Sequence, residues 1–203
     1  MYMIKIKICG LTSAEDAQII NNLGVEYAGV VMFFPKSKRN TSPEKAREII
    51  SAIETAKTVA VVVSPTVEQI KIIEECGFDL IQIHGEAPEE VFTSSELPLF
   101  KAFNVKDIDT IGKYEKMKNI IGYVFDAAQP GSGKTFDWSM LKDIPHGKKL
   151  LILAGGLNPN NAAAAVRAVH PDIVDVSSGV ENDNGAGKNR SKAERFVNAV
   201  RSV

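Results

Sequence analysis

The chain has 203 residues, of which 44% are hydrophobic and 24% are charged, and its formal net charge is −1. These values are ordinary for a globular protein, and the near-neutral charge excludes the basic surface that is typical of nucleic-acid-binding proteins. No apolar run approaches the roughly 20 residues of a membrane-spanning helix, and Met1 leads directly into a strand-like run, so we expect neither a membrane segment nor a signal peptide.

The cysteines and histidines are few and scattered. Cys9 and Cys76 are the only cysteines, and their separation is not that of metal ligands. We expect two free thiols in a reducing compartment, the cytoplasm. The three histidines, His84, His146 and His170, do not cluster in the sequence, so we expect no histidine-based metal site.

Strand-like runs recur along the chain, and most of them are almost continuous in Val, Ile, Leu and Phe. Such runs are typical of parallel strands that are covered on both faces. Segments with helical periodicity lie between them, with predicted N-caps at Thr12, Ser42, Thr66 and Asn158. The predicted strands are residues 4–8, 27–33, 58–63, 80–83, 99–103, 121–125, 150–154 and 173–176.

The alternation of strands and helices predicts an α/β protein with one domain over residues 1–203. Eight strands at intervals of about 25 residues favour a short (β/α)8 TIM barrel, in which the eighth strand pairs with the first. The alternative is a doubly wound open sheet, which rarely has eight evenly spaced strands. In a barrel, catalytic residues lie at the C-terminal ends of the strands.

The seventh and eighth predicted strands both end in residues with little or no side chain. Gly155 and Gly156 follow the seventh strand, and Ser177, Ser178 and Gly179 follow the eighth. Backbone N–H groups at such positions approach an anion closely, particularly beside the start of a helix. Because the loops after the last two strands are the usual phosphate site of a barrel, we predict a phosphate site here. Ordinary turn glycines are the alternative.

Side-chain alternation assigns the faces of the first and eighth strands. The isoleucines of the first strand share one face, which should meet the helices, so Lys7 and Cys9 point into the barrel. The same alternation turns Asp175 inward. A lone buried ammonium is costly, so we expect Lys7 to be neutralised by Asp175 or Asp126. Solvation of Lys7 at the rim is the alternative.

Cys9 and Asp126 end the first and sixth predicted strands and therefore face the same barrel mouth. A thiol and a carboxyl there are a candidate base and acid. Their reference pKa values, about 8.5 and 3.9, are in the wrong order for this work at neutral pH, so the site would have to shift both. Each residue also has a structural explanation, since buried cysteines are usually inert and acids often cap turns.

Residues 128–135 are close in sequence to a nucleotide-binding P-loop. A P-loop runs into a well-formed helix at its Lys-Thr pair. Here Phe136, Asp137 and Trp138 follow, and Pro145 leaves little room for a helix. We therefore do not expect nucleotide hydrolysis.

The motifs along the whole chain resemble those of the phosphoribosylanthranilate isomerase family of tryptophan biosynthesis. Their order and spacing carry the resemblance more than any single motif does, and the glycine-rich loop after the sixth strand is part of the pattern. The matching segments are residues 7–12, 34–39, 82–85, 126 with 131–138, 153–159 and 175–181.

The resemblance implies an Amadori rearrangement of N-(5'-phosphoribosyl)anthranilate, with no cofactor and no metal. Asp126 matches the general acid that protonates the furanose ring oxygen, and Cys9 matches the general base that takes the proton from C2. Arg39 matches the residue that binds the anthranilate carboxylate, and His84 and Asp175 match positions near the substrate. The family's phosphate cradle is matched by Gly155, Gly156, Ser177, Ser178 and Gly179.

Two alternatives stay open beside this interpretation. The first is another phosphosugar barrel enzyme, although neither the metal ligands of an epimerase nor the strand-borne lysine of indole-glycerol-phosphate synthase is evident. The second is a non-catalytic phosphosugar-binding barrel, which Cys9 and Asp126 argue against. We expect a small phosphorylated molecule as the partner, not nucleic acid or a membrane, and a monomer or homodimer.

Overall fold

The computed structural model describes residues 3–104, 107–126, 135–141, 144, 146–185 and 187–203. Within these ranges all paired strands are parallel and form one sheet. The strands are β1 (Lys5–Cys9), β2 (Tyr27–Met32), β3 (Asn40–Thr41), β4 (Lys57–Val63), β5 (Leu80–His84), β6 (Leu99–Asn104), β7 (Ile120–Asp126), β8 (Leu150–Leu153) and β9 (Ile173–Val176). Their order is β1-β9-β8-β7-β6-β5-β4-β2-β3, and β1 also pairs with β2.

The pairing of β1 with both β9 and β2 closes the sheet into a barrel of eight strands, with the two-residue β3 attached outside the ring. The predicted (β/α)8 barrel is therefore confirmed, and an open doubly wound sheet is excluded because the sheet closes. Helices connect the strands and cover the barrel: α1 (Ala14–Leu23), α2 (Pro43–Ser51), α3 (Val67–Cys76), α4 (Glu89–Thr93), α5 (Ala162–Val169) and α6 (Arg190–Arg201). Among the described residues no helix is long and apolar enough to cross a membrane.

The apolar core has two layers, one inside the barrel and one between the strands and the helices. The inner layer contains Cys9 and ten other residues from the inward faces of the strands, including Val124 and Ile173. The outer layer contains Ile6 and Ile8 together with the inward faces of the helices. Both faces of each strand are thus covered, which explains the continuous apolar runs. The predicted alternation of β1 is confirmed.

Two helices begin later than predicted. The N-cap of α1 is Ser13, whose side chain accepts from the Asp16 N–H, whereas Thr12 donates its N–H and hydroxyl to the Asp16 carboxylate. At the other helix, α5, the N-cap is Asn161 rather than Asn158. The Asn158 side chain accepts from the backbone of Asn160 at 2.9 Å, which forms a turn ahead of the helix instead.

Two connections are short 3₁₀-helices, at Ile108–Lys113 and at Trp138–Leu141. The predicted N-caps Ser42 and Thr66 are confirmed at α2 and α3, and Thr66 forms a complete capping box.

Candidate active site

Closure of the barrel places Lys7 of β1 directly opposite Asp175 of β9. Lys7 Nζ lies 2.7 Å from Asp175 Oδ2, and the lysine side chain is fully buried. Burial alone would lower the pKa of the ammonium, but attraction to Asp175 and to Cys9 outweighs it and raises the pKa above its ordinary value. The predicted ion pair with Asp175 is therefore confirmed. Asp175 Oδ1 is buried without a hydrogen-bond partner among the described residues.

Cys9 ends β1 on the inward face and is 8% exposed. Its register partner on β2 is Gly29, and a Cβ atom at that glycine would lie 2.8 Å from Cys9 Sγ. The Ser177 hydroxyl donates to the Cys9 carbonyl at 2.9 Å and ties the end of β1 to the end of β9. The position of the sulfur thus depends on the missing side chain at Gly29.

The charge state of Cys9 is set by opposing influences. Burial raises the pKa of the thiol, and the negative charge of Asp175 adds to the rise. The Lys7 ammonium lowers it by attraction and by a hydrogen bond to the sulfur, and Lys188 lowers it by attraction. The net pKa lies above the ordinary value, so the unliganded site holds a neutral thiol at neutral pH.

Asp126 ends β7 and is half-buried. It lies two residues after Val124 of the inner layer, so it projects toward the same side of the strand, into the barrel. Because the barrel strands all run in one direction, Asp126 and Cys9 lie at the same mouth. The predicted glycine-rich loop that follows, with the P-loop-like residues 128–134, lies outside the described residues.

The loops after β8 and β9 pack against each other backbone to backbone. A Cβ atom at Gly179 would collide with the carbonyl oxygen of Leu157, so only glycine fits there. Gly155 and Gly156 have positive φ angles of 84° and 68°. No described residue accepts a hydrogen bond from the backbone N–H of either. Free N–H groups on two adjoining glycine-rich loops are suited to an anion, at the place that the sequence predicts.

Glu181, just after the loop that follows β9, binds three cations at once. Arg39 Nε donates to Glu181 Oε1, Lys38 Nζ lies 2.9 Å from Oε2, and Lys188 Nζ lies 3.5 Å from Oε1. Burial alone would raise the pKa of Glu181, but the hydrogen bonds from Arg39 and Lys38, with the attraction of Lys188, lower it to about 2. Glu181 therefore fixes the loop after β2 to the segment after β9. Reasoning from the sequence missed this residue.

The Arg39 side chain lies over Gly10, the residue that follows Cys9 at the end of β1. Gly10 has a φ angle of +79°, and any Cβ atom there would collide with the Arg39 side chain. The Nη atoms of Arg39 have no hydrogen-bond acceptor among the described residues. Because Glu181 engages only Nε, the opposite edge of the planar guanidinium stays available for a carboxylate.

His84 ends β5 on the opposite side of the barrel from β9. Its Nε2 lies 2.8 Å from Gln82 Nε2. Burial lowers the pKa of the ring, and the positive charges of Lys101 and Lys7 lower it further, to about 3. The ring is therefore neutral at physiological pH, with one nitrogen as donor and the other as acceptor.

A cavity of about 440 Å³ opens beside His84 at this mouth, in the range that holds small ligands. Phe34, Tyr114 and Lys101 are among its lining residues. Lys101 Nζ donates to the carbonyls of Gly85 and Ala102 at 2.9 and 2.7 Å, so it braces the ends of β5 and β6. Among the described residues no group of three or more His, Cys, Asp and Glu side chains is placed to hold a metal ion.

The fold defines the class of the protein, a (β/α)8 barrel whose strand ends form one mouth. The chain belongs to the family of N-(5'-phosphoribosyl)anthranilate isomerases, whose model matches residues 6–199. It is 42% identical over 205 residues to the enzyme of that name from Aquifex aeolicus, covering 98% of this chain and 100% of the relative. It is 38% identical over 207 residues to the enzyme of that name from Moorella thermoacetica, and the match covers 99% of this chain and 91% of the relative.

Solved structures give the same result. The phosphoribosylanthranilate isomerase of Thermotoga maritima is 34% identical, covers 99% of this chain and 100% of its own, and superimposes with a TM-score of 0.88. A phosphoribosylanthranilate isomerase in complex with reduced 1-(o-carboxyphenylamino)-1-deoxyribulose 5-phosphate is 32% identical over 99% and 100% of the two chains, with a TM-score of 0.84. The family resemblance inferred from the motifs is confirmed.

Proposed function

We propose that this protein is an N-(5'-phosphoribosyl)anthranilate isomerase of tryptophan biosynthesis, which converts the aminoaldose into 1-(2-carboxyphenylamino)-1-deoxy-D-ribulose 5-phosphate. The observation that carries the proposal is the placement of Cys9 and Asp126 at one barrel mouth together with an anion cradle built from backbone. Family membership over nearly the whole chain supports it and argues against another phosphosugar enzyme or a non-catalytic binder.

The two anionic groups of the substrate have separate sites in this proposal. The 5'-phosphate binds to the loops after β8 and β9, at Gly155, Gly156, Ser177, Ser178 and Gly179. The free N–H groups of the first two glycines support this assignment. The anthranilate carboxylate binds to the open edge of Arg39, where two parallel N–H···O bonds suit both planar groups.

Asp126 supplies the proton for the first chemical step. The carboxyl transfers its proton to the furanose ring oxygen, and the bond between that oxygen and C1 breaks. The nitrogen lone pair forms the C1=N bond of an iminium ion, and Asp126 is left as a carboxylate. A proton donor is needed because an alkoxide is otherwise a poor leaving group.

Cys9 acts in the second step, as a thiolate. It removes the proton from C2, and the electron pair of the C2–H bond forms C1=C2 while the iminium nitrogen becomes neutral. The resulting enolamine tautomerises to the ketone. Because the iminium ion is its own electron sink, the reaction needs no cofactor. The positive charge of the iminium ion also favours the thiolate form of Cys9 over the thiol.

Asp175 and His84 bind the sugar in this scheme. The unpartnered Oδ1 of Asp175 accepts a hydrogen bond from a sugar hydroxyl. The neutral ring of His84 offers a donor or an acceptor on the far side of the mouth. Neither group exchanges a proton with the substrate.

The proposal is tested by turnover. Phosphoribosylanthranilate is made in situ, and the loss of its anthranilate-type fluorescence is followed with and without the protein. We expect loss well above the uncatalysed rate, with formation of the carboxyphenylamino-deoxyribulose phosphate. No acceleration, together with binding of the reduced product analogue, would indicate a non-catalytic phosphosugar binder instead.

We further place the enzyme in the cytoplasm, where the free thiols of Cys9 and Cys76 are stable. We propose that it acts as a monomer or a homodimer. The relative from Thermotoga maritima is described as dimeric, with monomers generated from it. Analytical ultracentrifugation distinguishes the two states.

Replacing Arg39 with alanine is expected to raise KM for the substrate by about 10- to 100-fold with little change in kcat, because a charge-assisted bidentate contact is lost. Steady-state kinetics measures both constants. Lys38→Ala is the matched control, since Lys38 binds the same Glu181 carboxylate but is 54% exposed. We expect the control to change KM by less than about threefold. An unchanged KM in Arg39→Ala would remove the proposed role of this residue.

The Gly29→Ala substitution is expected to displace the Cys9 sulfur, because the added methyl group would lie against it. We expect kcat to fall by about 10-fold or more, because proton transfer depends on the position of the base. Gly112→Ala is the control, since a Cβ atom there meets nothing within 4 Å. The kinetic constants and the melting temperature are measured for both variants. A Gly29→Ala variant with wild-type kcat would show that the sulfur position is not critical.

A further inference from the structure

Lys7 is a fully buried charged residue that the reaction described above does not use. Lys7 and Cys9 alternate on the same face of β1, and their side chains therefore project side by side into the barrel. We propose that Lys7 is a positioning residue whose buried ammonium favours the thiolate form of the Cys9 sulfur over the thiol. The consequence for catalysis rests on the proposed function.

The contacts of Lys7 support this role. An ammonium group has three N–H donors. One is directed to Asp175 Oδ2 at 2.7 Å, and the ammonium also attracts the negative charge of a Cys9 thiolate. Because the whole side chain is excluded from water, these contacts are not screened by solvent.

Few other charged groups face the sulfur. Across β2, the register partner of Cys9 is the uncharged Gly29. From the segment after β9, Lys188 is close enough to attract the thiolate, but it is engaged by Glu181 at 3.5 Å and by the Ser177 carbonyl at 3.3 Å. Lys7 is therefore the cation whose charge favours the thiolate most.

Further round the mouth, His84 of β5 and Asp126 of β7 are the other titratable groups at inward positions on the described strand ends. The His84 ring is neutral, so it contributes no charge in the physiological range. In the proposed reaction Asp126 gives its proton to the substrate in the first step, so it supplies no positive charge to the sulfur. Neither group can take the place of Lys7 in favouring the thiolate.

Asp175 has an opposite direct effect on the sulfur. Its negative charge disfavours a second negative charge nearby. The two members of the ion pair should therefore shift the titration of Cys9 in opposite directions when each is removed. Loosened packing would not produce opposite shifts.

The experiment titrates Cys9 directly in a Cys76→Ser background, where Cys9 is the only cysteine because the chain has two. The ultraviolet absorbance of the thiolate and the rate of alkylation by iodoacetamide are measured against pH. Lys7→Met is expected to move the midpoint up by about one pH unit or more. Asp175→Asn is expected to move it down, because the ammonium then has only the sulfur as an anionic partner.

Lys5→Met is the matched control, since it removes an exposed ammonium from the other end of the same strand. We expect no shift of the midpoint in this variant. The double variant Lys7→Met/Asp175→Asn is measured in case Lys7→Met does not fold. The double variant leaves no unpaired buried charge. It should still raise the midpoint, by less than Lys7→Met does, since the lost attraction of Lys7 exceeds the lost repulsion of Asp175.

Kinetics provides a second readout. Lys7→Met is expected to lower kcat by about 10-fold or more with KM nearly unchanged, as for a residue that acts only on the base. An unchanged midpoint in folded Lys7→Met, or shifts of the same sign in Lys7→Met and Asp175→Asn, would overturn the inference. If the titrations agree but the wild-type protein does not turn over phosphoribosylanthranilate, the proposed function fails and the role of Lys7 toward the sulfur stands.

Discussion

Asp126→Asn is expected to lower kcat by about 10²- to 10⁴-fold, because the amide keeps the size of the carboxyl but cannot supply its proton. Without that proton the furanose oxygen must leave as an alkoxide, and ring opening becomes rate-limiting. The variant should bind the reduced product analogue with nearly the wild-type affinity, since Asp126 is not among the groups assigned to the phosphate or the carboxylate. Steady-state kinetics and calorimetric titration separate the two effects.

The control for this prediction is Asp107→Asn. Asp107 lies at the rim of the same mouth, where its carboxylate accepts a hydrogen bond from Asn104, and it is exposed. We expect its kcat to stay within about twofold of wild type, as for surface substitutions in general. A small loss in Asp126→Asn, of the same order as in Asp107→Asn, would rule out Asp126 as the acid.

Cys9→Ser is expected to reduce kcat by a comparable factor, about 10²- to 10⁴-fold, with product affinity again largely intact. A serine hydroxyl has nearly the size of the thiol but is far less acidic, so the population of its anion is negligible even beside Lys7. The proton at C2 then has no base to receive it. The iminium ion should form and revert without passing on to the enolamine.

The second cysteine gives a matched control. Cys76 is also buried, but it ends α3 in the outer layer of the core and has no part in the mouth. Cys76→Ser is therefore expected to keep wild-type kcat. If Cys9→Ser also keeps wild-type kcat, the assignment of the base is wrong and another group must remove the proton.

Local sequence patterns were sufficient to predict the barrel and to assign the inward and outward faces of its strands. The face of Lys7 follows from a two-residue period, and a buried ammonium requires an acid, so Asp175 or Asp126 could be predicted as its partner. The register of β1 with β9 decides for Asp175. The glycine-rich ends of β8 and β9 were informative because glycine is needed where backbones approach closely, as Gly179 does against Leu157.

Contacts between distant loops could not be predicted. Glu181 and Arg39 are separated by 142 residues, and no spacing rule connects them. The need for a glycine at Gly29 depends on its register with Cys9, which exists only once the barrel has formed. At α5, Asn158 and Asn161 are both good N-cap residues, and the turn formed by the Asn158 side chain decides between them.

The cluster around Glu181 has a consequence for how the substrate reaches the site. One carboxylate is shared by Arg39, Lys38 and Lys188, so these four side chains together carry two more positive than negative charges. The chain as a whole carries a formal charge of −1 and exerts no general pull on anions. Phosphoribosylanthranilate carries a phosphate and a carboxylate. It is therefore attracted electrostatically only close to this cluster, within a Debye length of about 8 Å in physiological salt. Local excess charge at the entrance thus orients an incoming trianion before any contact is made.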